Sequence, residues 1–234
     1  MAEEMITRLY AADVTELEED SLYHAAYQKA AWERQRKVDV LRFPRDRRLS
    51  LGVEILLQYA LSQLGLPCRD MIYCYKEGGK PYLVSQPGIH FSLSHAGKIA
   101  ICAISSRETG CDVEEKKELD MNIAERFFAR EEYRQIAKQE SEQKKQEMFF
   151  RLWTLKESLI KATSLGMKIP LDSFCVFFGR NGQPLPLQYE GQTYFFQEFV
   201  VHPDYKCALC LQEGCNSQPA LLEHIRLSKI LSKT

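Results

Sequence analysis

The sequence predicts an α+β protein built as two halves, each a small sheet with helices packed against it. Three observations carry that prediction. Elements run in the order strand, helices, strands, then helices, strands, helix, which suits two layered units. The chain has 234 residues, room for one large domain or two small ones with a sizeable core. Its 45% hydrophobic and 27% charged residues are the composition of an ordinary globular protein. A boundary near Ser105–Glu108 divides the chain about equally, into residues 1–105 and 106–234.

Met5–Ala12 reads as a first strand. Thr15-Glu16-Leu17-Glu18 offers a hydroxyl cap with acids in the first turn, opening a helical region. Pro44 suits the start of the next helix, where Leu49, Val53, Leu56, Leu57, Ala60, Leu61 and Leu64 recur at helical spacing until Gly65 and Pro67. Met71–Tyr75, Pro81–Val84, Ile89–Leu93, Ile99–Ile104 and Thr109–Glu115 are short strands between turns, one of them Gly78-Gly79-Lys80-Pro81. Helices follow near Met121–Ala129 and Glu131–Gln139, then a charged segment, Lys138–Gln146, that reads as a mobile loop. After a central helix come strands at Phe174–Phe178, Thr193–Val201 and Tyr205–Leu211, and a last helix at Ala220–Ile230.

The net charge of −1 gives no global argument for nucleic acid or membrane. Locally, Lys29–Arg48 holds eight basic residues against three acidic ones, a patch suited to a polyanionic ligand or an acidic partner, or simply a solvated face. It has no base-stacking motif, which disfavours a nucleic-acid binder. No run approaches the ~18 apolar residues of a membrane span, and the acidic start Met1-Ala2-Glu3-Glu4 is unlike a signal peptide, so a cytoplasmic protein is expected. The eight cysteines are dispersed. Cys207-x-x-Cys210 has zinc or redox spacing but alternates like a strand, so reduced core thiols are the expectation.

Chemistry concentrates in three places. The central helix, around Trp153-Thr154-Leu155-Lys156-Glu157-Ser158-Leu159-Ile160-Lys161, carries a broad apolar arc. Lys156 falls inside that arc, and Glu157 and Lys161 lie one turn apart along its edge. Burying three charges is costly without partners; the bland alternative is an i,i+4 pair with Lys156 snorkelling. In Gly110-Cys111-Asp112-Val113-Glu114, strand alternation puts Asp112 and Glu114 on one face, about 6.6 Å apart along the chain. Two carboxylates repel unless a cation or base sits between them, and a hard ion such as Mg²⁺ takes oxygen ligands of this kind. Glu157 offers a third carboxylate, with Lys161 one turn on to neutralise phosphate oxygens. Ser92-Leu93-Ser94-His95 follows a strand and ends in a small-residue turn that can gather around an anion. No Walker A, Gly-x-Gly-x-x-Gly or Gly-x-Ser-x-Gly run occurs.

Gly79–Pro81, Ser92–His95, Gly110–Glu114 and Trp153–Ser158 stand together with Arg126-Phe127-Phe128, Lys161 and Arg48-Leu49-Ser50-Leu51-Gly52. In this order and spacing the chain resembles a 4′-phosphopantetheinyl transferase of the large, surfactin-synthetase-activating type, over about residues 34–178. The resemblance implies two similar α/β halves related by a pseudo-twofold, each with a small antiparallel sheet, and coenzyme A in the cleft between them. It implies Mg²⁺ on Asp112, Glu114 and Glu157, and coenzyme A contacts from Lys80, Pro81, Ser94, His95 and Lys161, with Arg48 and Arg36 near the 3′-phosphate. Glu132 falls where a carboxylate is sometimes assigned near the metal's water.

The reaction implied is transfer of the 4′-phosphopantetheine group to a serine of an apo acyl or peptidyl carrier protein, with release of 3′,5′-ADP. Lys161 assists, and Glu157, preferred over His95, is the general base. The length suits a monomer rather than the trimeric single-half type. A catalytically silent module holding coenzyme A or a carrier domain is the rival reading.

Overall fold

The computed structural model describes residues 7–66, 73–118, 120–214 and 218–232. In the first half, strand β1 (Arg8–Asp13) leads through a 3₁₀ turn into helices α1 (Asp20–Lys29), α2 (Trp32–Val40) and α3 (Pro44–Gln63). The hairpin β2 (Tyr73–Tyr75) and β3 (Pro81–Leu83) and the longer hairpin β4 (His90–Ala96) and β5 (Ile99–Ser105) complete it. The second half contains β6 (Thr109–Glu115), α4 (Met121–Phe127), α5 (Arg130–Ala137), α6 (Glu142–Thr163), β7 (Leu187–Tyr189), β8 (Gln192–Phe199) and β9 (Tyr205–Gln212). The chain ends in β10 (Leu221–His224) and α7 (Leu227–Leu231).

Two four-stranded sheets result, with strand orders β10-β1-β5-β4 and β6-β9-β8-β7. Pairing is antiparallel throughout both, except that β10 runs parallel to β1. Strand alternation sorts the side chains into three cores. Tyr10, Ala12, Cys102 and Ile104 join the core under α3, while Leu9, Ala11, Ile101 and Ala103 turn the other way. There they meet Cys111, Val113, Cys207 and Leu209 of the second sheet. Ala208 and Cys210 face the core beneath α6. The molecule is thus layered helix, sheet, sheet, helix: two similar α/β halves, each with one long helix on its outer side, pressed together through a shared apolar layer.

Three expected segments take a different form, and the cap expected of Thr15 is supplied by Asp13, which accepts from the Thr15 N–H at 2.9 Å. Only Lys138–Ser141 of the expected loop Lys138–Gln146 is non-helical, because Ser141 accepts a hydrogen bond from the Lys144 N–H at 3.2 Å and caps α6 there, before a run of strong helix formers. Phe174–Phe178 is extended but joins neither sheet. The Val176 N–H donates to Glu132 at 2.8 Å and the Phe174 carbonyl accepts from Lys156, so side chains take the bonds a neighbouring strand would have made. Ala220–Ile230 is strand then short helix rather than one helix: β1 has an open edge that β10 fills, and Glu16 caps α7 through the Leu227 and Ser228 N–H groups. The first strand expectation reaches Met5 and that at Met71–Tyr75 begins at Met71; these residues, like Cys68 and Cys215, lie outside those described. The six described cysteines, Cys207 and Cys210 among them, are free thiols. No described helix is long and apolar enough to cross a membrane.

Candidate active site

The edge strands β4 and β6 meet at the seam of the halves, where the Cys111 N–H donates to the Ser92 hydroxyl at 3.0 Å. α6 crosses β6 at backbone contact distance. A Cβ on Gly110 would lie 2.0 Å from the Ser158 carbonyl oxygen and 2.4 Å from the Ala162 nitrogen, so only glycine permits that approach. Close packing of helix on strand brings Glu157 and Lys161 beside Asp112.

Lys161 donates to Asp112 Oδ1 at 2.6 Å and to the Ser94 hydroxyl at 2.9 Å; Ser94 in turn donates to the same carboxylate oxygen at 2.8 Å. Asp112 Oδ2 is buried with no hydrogen-bond partner. Burial, then the Asp112 charge, raises the Glu114 carboxyl to about 7 and raises that of Glu157 as well. Burial works against the Lys161 ammonium, but Asp112 outweighs it and holds the group above its ordinary value. His95, on the solvent-facing side, has its basicity lowered by the desolvating walls and then by Lys161 and Lys37.

These groups line a cavity of about 540 Å³ that also takes in Arg34, Lys37, Tyr73 and Trp153. A second, more apolar cavity of about 780 Å³ adjoins it, sharing Gly79, Pro81, Leu93, Trp153, Glu157 and Lys161. Asp112, Glu114, Glu157, Lys161, Ser94, His95 and Pro81 are therefore all brought to one place. Among the described residues, however, no three acidic, histidine or cysteine side chains are gathered into a metal-binding cluster. Lys161, not a second carboxylate, stands closest to Asp112.

Of the other expected ligands, Lys80 lines the larger cavity. The Lys80 ammonium is spent on Glu108 at 2.9 Å and the Thr109 carbonyl at 2.7 Å. Arg36 sits over the Trp32 ring, 4.9 Å from its centroid, and Arg48 pairs with Glu18 at 3.0 Å. Neither arginine lines either of these cavities, while Arg34 and Lys37 line the smaller one. Sequence reading missed these two, although i,i+3 spacing puts both on one helix face and i,i+4 spacing puts Arg36 with Trp32. Glu132 lines neither cavity and is fully buried against Lys156, which donates to its two oxygens at 2.8 and 2.7 Å. Lys156 does not snorkel.

Residues 108–210 match the family model described as the 4′-phosphopantetheinyl transferase superfamily. The chain is 32% identical over 199 residues to the 4′-phosphopantetheinyl transferase psf-1 of Bacillus pumilus, covering 84% of this chain and 83% of that protein. The chain belongs to the 4′-phosphopantetheinyl transferase superfamily. A second relative within it is the transferase Sfp of Bacillus subtilis (strain 168), 36% identical over 168 residues, 70% of this chain and 74% of that one. A third is the transferase gsp of Aneurinibacillus migulanus, 35% identical over 164 residues, 70% and 68% of the two chains. The superfamily match begins at Glu108, one residue before β6, and runs through α6 to β9, the part of the fold that carries Asp112, Glu114, Glu157 and Lys161.

Proposed function

We propose that the protein transfers the 4′-phosphopantetheine group of coenzyme A to a serine of an apo acyl or peptidyl carrier protein, releasing 3′,5′-ADP. One observation carries the reading: a single cavity at the seam collects Arg34 and Lys37 from the first half with Lys161 and three carboxylates from the second. Family membership supports it. A silent binding module has no observation in its favour.

The carboxylates fit a hard divalent ion. All their donors are oxygens, and Asp112 Oδ2 is buried and unpartnered. Asp112, Glu114 and Glu157 would hold Mg²⁺, which when bound offsets charge on the pyrophosphate oxygens. In the transfer step the serine oxygen forms a bond to the phosphorus bearing pantetheine, and the bond from that phosphorus to the bridging oxygen of 3′,5′-ADP breaks. Glu157 takes the serine proton. Lys161 places its ammonium against the charge that grows on the leaving oxygen. Arg34 and Lys37 hold the phosphates at the nucleotide end, and His95, neutral near pH 7, offers a hydrogen bond rather than a charge. Both halves come from one chain, so the enzyme acts as a monomer, in the cytoplasm where coenzyme A is available.

Incubation with coenzyme A, Mg²⁺ and a panel of apo carrier proteins tests this by intact mass. At least one carrier gains a phosphopantetheine mass with release of 3′,5′-ADP, and Asp112→Ala or Glu157→Ala loses roughly 10²–10³-fold or more in rate. Near-normal rates in these variants at saturating Mg²⁺ would reject the metal assignment; no mass gain on any carrier would reject the function.

A further inference from the structure

The first half's wall of the cavity rests on a carboxylate that the transfer chemistry does not use. Glu54, on α3, is fully buried. It accepts hydrogen bonds from the Tyr73 hydroxyl at 3.2 Å, the Gln58 amide at 3.1 Å, the Ala31 N–H at 3.4 Å and Arg34 Nε at 3.2 Å. Arg34 Nη1 also reaches the Ser50 hydroxyl at 3.4 Å. Arg34 and Tyr73 line the cavity, whereas Glu54 does not. One acidic side chain out of a ligand's reach therefore fastens two cavity groups from separate elements, α2 and β2.

A buried carboxylate is a poor device for stability alone, since apolar packing of the same volume usually serves as well or better. Its value here lies in the shape of its partner. A guanidinium is a rigid plane with five N–H donors. With Nε and Nη1 turned inward to Glu54 and Ser50, the rest of the fork is left to the cavity. Burial and the neighbouring Arg34 lower the basicity of Lys37, the mark of two cations sharing one anion-receiving wall.

We infer that Glu54 is a positioning residue for anion binding: it holds the Arg34 guanidinium so that its outer edge faces the phosphates, with the Tyr73 hydroxyl fixed beside it. The inference rests on the cavity being the coenzyme A site. Tyr73 remains a protonated donor there, because burial and the Glu54 charge push its pKa up.

The test is steady-state kinetics on Glu54→Gln, Arg34→Ala and the double variant, varying coenzyme A at saturating carrier. Glu54→Gln raises KM for coenzyme A about tenfold and leaves kcat within twofold, because the reacting centre is untouched. In the Arg34→Ala background the same change alters KM by less than twofold, because the group it positions is gone. An unchanged KM in Glu54→Gln, or an equal added factor in the double variant, would overturn the inference and leave Glu54 as a structural strut. If Glu54→Gln does not fold, Arg34→Lys decides. Lysine keeps the charge but has no fork to divide between Glu54 and the ligand, so KM rises at least fivefold; a wild-type KM would overturn the inference. Wild-type protein that modifies no carrier would instead refute the transferase reading itself.

Discussion

Glu54 in the first half and Glu132 in the second are both fully buried carboxylates on the helical side of their sheets, and each has a basic partner. Their partners differ. Arg34 is 16% exposed and lines the cavity, while Lys156 is 0% exposed. The Lys156 ammonium has three donors, and Glu132's two oxygens and the Phe174 carbonyl account for them. The Phe174 ring closes over it at 4.0 Å. Glu132 also accepts from the Ala129 N–H at 3.2 Å, so α5, α6 and the extended segment after α6 converge on one sealed knot. The guanidinium divides its donors between the interior and a ligand; the ammonium has none to spare. Two ion pairs, each built on a fully buried carboxylate, thus serve opposite ends, one locking helices together and the other presenting charge outward.

Breaking the sealed pair gives the largest effect. Lys156→Met leaves a charge buried without its counterion and costs about 3–5 kcal/mol, lowering Tm by roughly 10 °C, measured by chemical and thermal unfolding. Adding Glu132→Gln recovers part of that loss, because a neutral amide still accepts from Val176 without needing a cation. Glu54→Gln is milder in stability, about 1–3 kcal/mol, so its ratio of KM change to Tm change exceeds that of any Lys156 variant.

A third carboxylate supplies a pH test. Burial alone would raise the Glu108 carboxyl, but hydrogen bonds from His90, Lys76 and Lys80 outweigh it and hold the group well below its ordinary range. Its folded pKa lies below the unfolded value near ~4.3, so its contribution is complete above that pH and fades as pH falls below it. Glu108→Gln therefore flattens the acid side of a Tm–pH profile between about pH 3 and 5, while leaving its shape above pH 6 unchanged. The smallest effect separates two neighbours on α2: Lys37→Ala raises KM for coenzyme A severalfold, and Arg36→Ala changes it less than twofold.

Local periodicity made much of this legible. Period-2 alternation placed Asp112 and Glu114 on one face of β6, and 3.6-residue spacing placed Glu157 and Lys161 on one edge of α6; both survive because each needs only its own element. Seeing that Arg34 and Lys37 rather than Arg36 line the cavity needed to know which side of α2 faces inward. That helix buries little but Val38, so its apolar pattern is too sparse to orient it. The short strand β7 escaped notice because the turn that joins it to β8 uses Glu190 and Gly191, both at positive φ, without the asparagine or aspartate that usually announces such a turn. The partner of Lys156 lies 24 residues upstream on another helix, a distance no local pattern spans.

The parallel strand β10 sews the tail of the chain onto the sheet formed by its head. Until synthesis has reached His224, the outer edge of β1 stays unpaired, exposing a row of backbone donors and acceptors suited to pairing with another nascent chain. The first half accordingly finishes folding last in one respect, and a fusion or truncation at the C-terminal end is felt at the opposite end of the sequence, beside the helices that carry the anion-binding wall.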